Sequence, residues 1–167
     1  MTRPSWPRAI PRINIERALS ARPLTAGEAA LAYSLFGNAI DYARPRIVQR
    51  KWAFFQPRDT VMAPLGHIHF HPDSPRYCDD FSQSSLSDQG LFLHEMTHVW
   101  QHQCGRFLPV ERHPLCRYGY RIQPGRPFER YGIEQQGEIV RHAFLMRHGI
   151  CPAGADRTCD YERLLPF

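Results

Sequence analysis

Lysine is almost missing from this chain of 167 residues: Lys51 is the one lysine among 21 basic side chains, so arginine carries the net charge of +5. A basic surface draws polyanions, whether nucleic acid, an anionic membrane or an acidic polymer. There is, however, no helix-turn-helix, no zinc-finger spacing and no interleaved aromatic pattern, so specific nucleic-acid recognition is not expected. Nor is there a run of roughly 18 to 20 apolar residues, which removes a membrane span. The opening MTRPSWPRAIPR lacks the apolar region of a secretory signal, so the chain is expected to be made in the cytoplasm and exported, if at all, whole. The five cysteines (Cys78, Cys104, Cys116, Cys151 and Cys159) are odd in number, and no C-x-x-C pair among them points to a thiolate metal site or a redox motif. Reduced cysteines are the expectation, with Cys151 and Cys159 able to pair in an oxidising compartment.

What is present fits one globular unit, because an apolar fraction of 43% suffices to bury a core in a chain of this length. Residues 1–23 are rich in Arg and Pro and read as an extended arm over the surface; residues 24–167 read as the domain itself. Thr25 and Glu28 have the spacing of a capping box and open a helix from about Ala26 to Gly37. Arg46 to Phe55 is β-branched and aromatic, and Gly66 to His71 alternates, so both read as strands of a small sheet. Gln89 to Cys104 reads as a helix, Arg106 to Arg130 as a long, partly strand-like excursion, and Ile133 to Arg147 as a further helix closed by Gly149 and Pro152. The expected fold class is α+β and helix-rich.

The stretch LFLHEMTHVWQHQCG carries the chemistry. His94 and His98 stand one turn apart on a helix and can reach one zinc ion, while Glu95 points beside them to where an attacking water would sit. About 0.02 such motifs are expected by chance in a chain of this length and composition. Zinc acidifies its water and polarises a carbonyl, and a glutamate in the position of Glu95 takes the proton and passes it to the leaving amine. His102 lies about 12 Å along the axis from His94, too far to converge on the same ion, and is expected behind the ligands or at the rim. The third ligand is sought in YGIEQQGEIVRHAF, where Glu134, Glu138 and His142 form one stripe and Gly137 admits a neighbouring helix. Glu134 is the expected ligand and Glu138 the carboxylate that orients a ligand histidine; the exchanged assignment is the alternative. Tyr118, Tyr120 and Tyr131 are possible donors to the oxyanion of peptide hydrolysis, with Tyr131 preferred for its place beside the glutamate helix. His67, His69 and His71 share one face of their strand and read as the polar face of an edge strand, onto which an extended peptide would pair, rather than as a second metal site.

The segments LTAGEAALAYSLFGNAIDY, MAPLGHIHF with the following DDFS, FLHEMTHVWQHQ and YGIEQQGEIV, in that order, resemble the Vgr-related zinc metallopeptidase domains of bacterial type VI secretion spikes. The resemblance spans about Leu24 to Phe144. It implies a zincin-like fold in which two histidines and a later glutamate, matched here by His94, His98 and Glu134, hold Zn2+, with Glu95 as general base. It also implies a toxin role between bacteria, acting in the periplasm of the target cell on a peptide or protein substrate. The secretion spike and an immunity protein are the implied partners. Members of that family occur fused to the spike protein or as small separate proteins, and this sequence carries no spike portion.

Overall fold

The computed structural model describes residues 21–111 and 118–167. Residues 1–20 of the segment read as an arm, Cys116 and the middle of the 106–130 excursion lie outside them. Three strands, β1 (Ala21–Pro23), β2 (Arg46–Val48) and β3 (Ile68–His69), form one sheet in the order β1-β2-β3. β1 runs antiparallel to β2, and β2 runs parallel to β3. Four α-helices accompany the sheet among the described residues: α1 (Ala26–Phe36), α2 (Leu86–Gln103), α3 (Leu108–Glu111) and α4 (Ile133–Arg147). The fold is α+β.

α1 starts where its capping box dictates. The Glu28 N–H donates to Thr25 Oγ1 at 3.0 Å, and the Thr25 N–H donates to Glu28 Oε2 at 2.9 Å. The Glu28 carboxylate is 0% exposed and also receives the Phe81 N–H and both terminal nitrogens of Arg22. Arg22 lies in β1, so the last three residues of the presumed surface arm are stitched into the sheet and onto α1.

α2 begins at Leu86, three residues before the expected start, because Ser85 caps it by accepting the Asp88 N–H at 3.2 Å. The strands are shorter than their composition suggests. β2 ends at Val48, and the aromatic residues after it enter a loop that turns at residues 54–55. β3 is limited by Gly66, whose φ of +77° lies in the left-handed region, and by Pro72. In the 106–130 excursion the described residues contain α3 and a short 3-10 turn at Phe128–Arg130 but no strand.

α2 and α4 pack side by side in opposite directions. Gly90 faces Leu145, His94 faces Gly137, and Gln101 meets Gln136. The core lies against this pair and includes a stack of Phe70, Phe81 and Phe92, with centroid separations of 5.3 and 5.5 Å, that joins β3 to α2. Phe167 closes the other end against Phe36, Trp100 and Phe128.

Candidate metal centre

The antiparallel contact of α2 and α4 brings together residues 40 positions apart. α2 turns the His94 and His98 rings toward α4, and the first turn of α4 supplies Glu134. Glu134 Oε2 lies 3.3 Å from His94 Nε2 and 3.3 Å from His98 Nε2. All three side chains are buried, and their ligand atoms lie within 4.8 Å of one another. Among the described residues this is the one group of three or more His, Cys, Asp or Glu side chains with such geometry. Gly137 makes the approach feasible. A Cβ there would stand 2.7 to 2.8 Å from the His94 ring, inside contact distance.

The far sides of both rings are occupied, and this decides what the near sides can do. His98 Nδ1–H donates to Gln101 Oε1 at 2.8 Å, which leaves the Nε2 lone pair pointing at Glu134. Gln101 is fixed in turn by donating to the Ile133 carbonyl and to Gln136 Oε1, and Gln136 donates to the Tyr131 carbonyl. His94 Nδ1 lies 2.9 Å from Glu138 Oε1, and the other Glu138 oxygen lies 3.5 Å from His142 Nε2. The Tyr120 hydroxyl donates to His142 Nδ1. Two imidazoles, His98 bonded through Nδ1 to Gln101 and His94 with its Nδ1 2.9 Å from Glu138, turn their Nε2 atoms toward a buried carboxylate and form a borderline-soft donor set of two nitrogens and one oxygen. That set fits zinc. Glu134 is the carboxylate at the shared pole, and Glu138 is the one behind His94.

The electrostatics match a site that exchanges a proton for a cation. Burial works to lower the His94 pKa, but the Glu134 and Glu138 carboxylates, with the charge of Glu95, push it up to about 9. Burial would raise the Glu138 carboxyl, yet His94, Arg141 and His142 hold it below its usual range. His142 is lowered, first by burial and then by Arg141 and His94, against the pull of Glu138. Neutral His142, accepting from Tyr120 at one nitrogen and facing Glu138 with the other, is consistent with that direction.

Glu95 is buried beside the cluster, and its Oε2 has no hydrogen-bond partner among the described residues. A buried, unpaired carboxylate oxygen is costly and marks a place where a polar guest belongs. The tyrosines lie in different environments. Tyr131 packs in the core and its hydroxyl accepts the Gln123 N–H at 3.1 Å, whereas Tyr118, 49% exposed, lies nearly parallel to the His94 ring at 6.2 Å. His102 leaves the cluster: it lies against Gly66, where a Cβ would come within 2.6 Å of its ring.

The three alternating histidines do not share one environment. His67 is exposed, His69 Nδ1 faces the Arg50 carbonyl at 3.3 Å, and His71 Nδ1 accepts the Asp73 N–H at 3.0 Å. The expectation that β3 offers an open edge for a peptide is corrected here. At His69 both the N–H and the carbonyl are bonded to Met62, at 2.8 and 3.1 Å, so that side of the strand is taken. Cys78, Cys104, Cys151 and Cys159 are all free thiols, so the pair open to Cys151 and Cys159 is not formed. Sequence reasoning missed Gln101 and Gln136. The signal for Gln101 was its i, i+3 spacing from His98.

No protein-family model matches the chain. It is 44% identical over 147 residues to the type VI secretion system spike protein VgrG2b of Pseudomonas aeruginosa. That alignment takes in 83% of this chain but 14% of the length of the spike protein. The solved effector domain of Pseudomonas aeruginosa VgrG2b matches with a TM-score of 0.73 and 42% identity, over 84% of this chain and 83% of that domain.

Proposed function

Because the chain belongs to the family of the VgrG2b effector domain, we propose that it is a zinc metallopeptidase of zincin type, acting as an interbacterial effector linked to type VI secretion. The observation that carries this reading is the convergence of His94, His98 and Glu134 beside the unpaired Glu95 carboxylate. His94, His98 and Glu134 would hold the ion. When bound, zinc supplies Lewis acidity, polarising the scissile carbonyl and lowering the pKa of water toward about 7. Glu95 accepts the proton of the attacking water at its unpaired oxygen and returns it to the leaving amine. Gln101 holds the His98 imidazole in the tautomer that presents Nε2, and the Glu138 carboxylate beside His94 Nδ1 favours the same tautomer there.

The effector role rests on the name of the matched domain. In that role the chain travels with a secretion spike into the periplasm of a target cell, cleaves a peptide or protein there, and is neutralised in its producer by an immunity protein. The test is Glu95→Gln, which keeps the size of the side chain and removes its basicity. Zinc content and melting temperature stay near wild type, and cleavage of a broad peptide library falls by at least about 100-fold. A variant that cleaves like wild type would leave a module that holds metal without hydrolysis through Glu95.

A further inference from the structure

Away from the metal centre, the loop of residues 50–58, RKWAFFQPR, is built in a way the peptidase chemistry does not use. Phe54 is 90% exposed, Phe55 66% and Trp52 40%. Single exposed apolar residues are ordinary, but three aromatics at one loop tip are not. The exposure is a property of an ordered loop. Gln56 is buried, its Nε2 donates to the Thr60 and His69 carbonyls at 2.8 and 3.0 Å, and its Oε1 accepts the Trp52 N–H at 2.8 Å. The Trp52 ring rests edge-on against His69 at 5.4 Å, and Phe54 and Phe55 brace each other edge to face at 5.2 Å. The tip therefore cannot fold back onto the domain without breaking its base.

Three cations surround this tip. Arg50, Lys51 and Arg58 are exposed, and of these Arg58 faces an acid, Asp73, at 3.9 Å with both side chains largely in solvent. Exposed aromatic rings flanked in the chain by Arg50, Lys51 and Arg58, against one exposed acid at Asp59, match the layering of a bilayer surface, where rings settle at the acyl boundary and cations meet phosphate. A soluble polyanion would use the cations and leave the rings in water.

We infer that the loop of residues 50–58 anchors the protein on anionic membrane surfaces, with Phe54 and Phe55 entering the interfacial layer and Arg50, Lys51 and Arg58 contacting lipid phosphates. The inference does not depend on the peptidase reading. No helix among the described residues is long and apolar enough to cross a membrane. Three cations near an anionic surface raise partitioning on the order of a hundredfold.

The experiment is co-sedimentation of the full chain with vesicles rich in phosphatidylglycerol and with vesicles of phosphatidylcholine alone. Wild type binds the anionic vesicles and is released by salt. Phe54→Ser/Phe55→Ser weakens binding by at least about tenfold. Arg50→Gln/Lys51→Gln/Arg58→Gln abolishes the preference for anionic lipid. Zinc content and melting temperature serve as folding controls, since these side chains lie outside the core. Acyl-chain-brominated lipids quench the fluorescence that Trp52→Phe removes, a readout on the unmutated loop. Absence of vesicle binding overturns the inference and turns the loop toward a protein pocket. Undiminished binding by the double serine variant overturns it as well, leaving a charge patch only.

Discussion

Glu134 and Glu138 are one helical turn apart and chemically identical, and the difference between them is where they meet His94. Glu134 faces Nε2 of both histidines, whereas Glu138 touches Nδ1 of one. In the proposed zinc site, loss of Glu134 would remove a bond to the ion, and loss of Glu138 would loosen the ring that makes another. Chelator competition is therefore expected to rank Glu134→Ala as the more damaging variant, with Glu138→Ala weakening zinc by about 10-fold to 100-fold. If Glu138→Ala empties the site instead, the two roles are exchanged. The residue types of this centre were legible because HExxH fixes its own geometry on a helix. The partners behind it were not, since Gln101 reaches Gln136 across 35 positions and only folding makes them neighbours.

Gly137 carries the element-scale argument. Its α-carbon faces the His94 ring directly, so α4 can come no closer and nothing larger than hydrogen fits. In Gly137→Ala, helix propensity favours the substitution by about 1 kcal/mol, while the methyl group must displace the ring or separate the helices. The expected outcome is a folded protein with strongly reduced zinc content, measured by metal analysis alongside circular dichroism. Unaltered zinc content would mean that the helices can part without cost to the site.

The elements themselves were readable to unequal degrees. α4 has the bounds its periodicity predicts, because Ile133, Val140 and Phe144 mark a face that packing then buries. β2 and β3 are shorter than expected for a physical reason. β-branched and aromatic residues suit a strand and an exposed aromatic loop equally well, and Trp52, Phe54 and Phe55 belong to the loop. The early start of α2 was carried by Ser85 and Asp88, a cap signal that lies outside the apolar pattern.

At the scale of the whole molecule, the Arg22–Glu28 pair joins the chain's early residues to its centre. Both bonds are 2.8 Å, and Arg22 also donates to the Cys78 carbonyl. Removing Arg22 leaves the buried carboxylate with the Thr25 and Phe81 amides but no counter-charge, so Arg22→Ala is expected to lower unfolding stability by about 3 kcal/mol in urea denaturation. A change below about 0.5 kcal/mol, the range of ordinary surface substitutions, would mean that this pair contributes nothing. The surface-arm reading of residues 1–23 could not anticipate Arg22, because local composition says nothing about an acid on the next helix.

Met62, bonded on both sides of His69, closes one border of the sheet, and β1 forms the other border with three residues that end in a proline. A sheet can recruit strands from another molecule only along a continuous row of unpaired amides and carbonyls. Here one row is occupied and the other is too short to serve as a template. Among the described residues the strand-forming segments Arg46–Val48 and Ile68–His69 therefore offer no long open edge for cross-molecular pairing of the amyloid type.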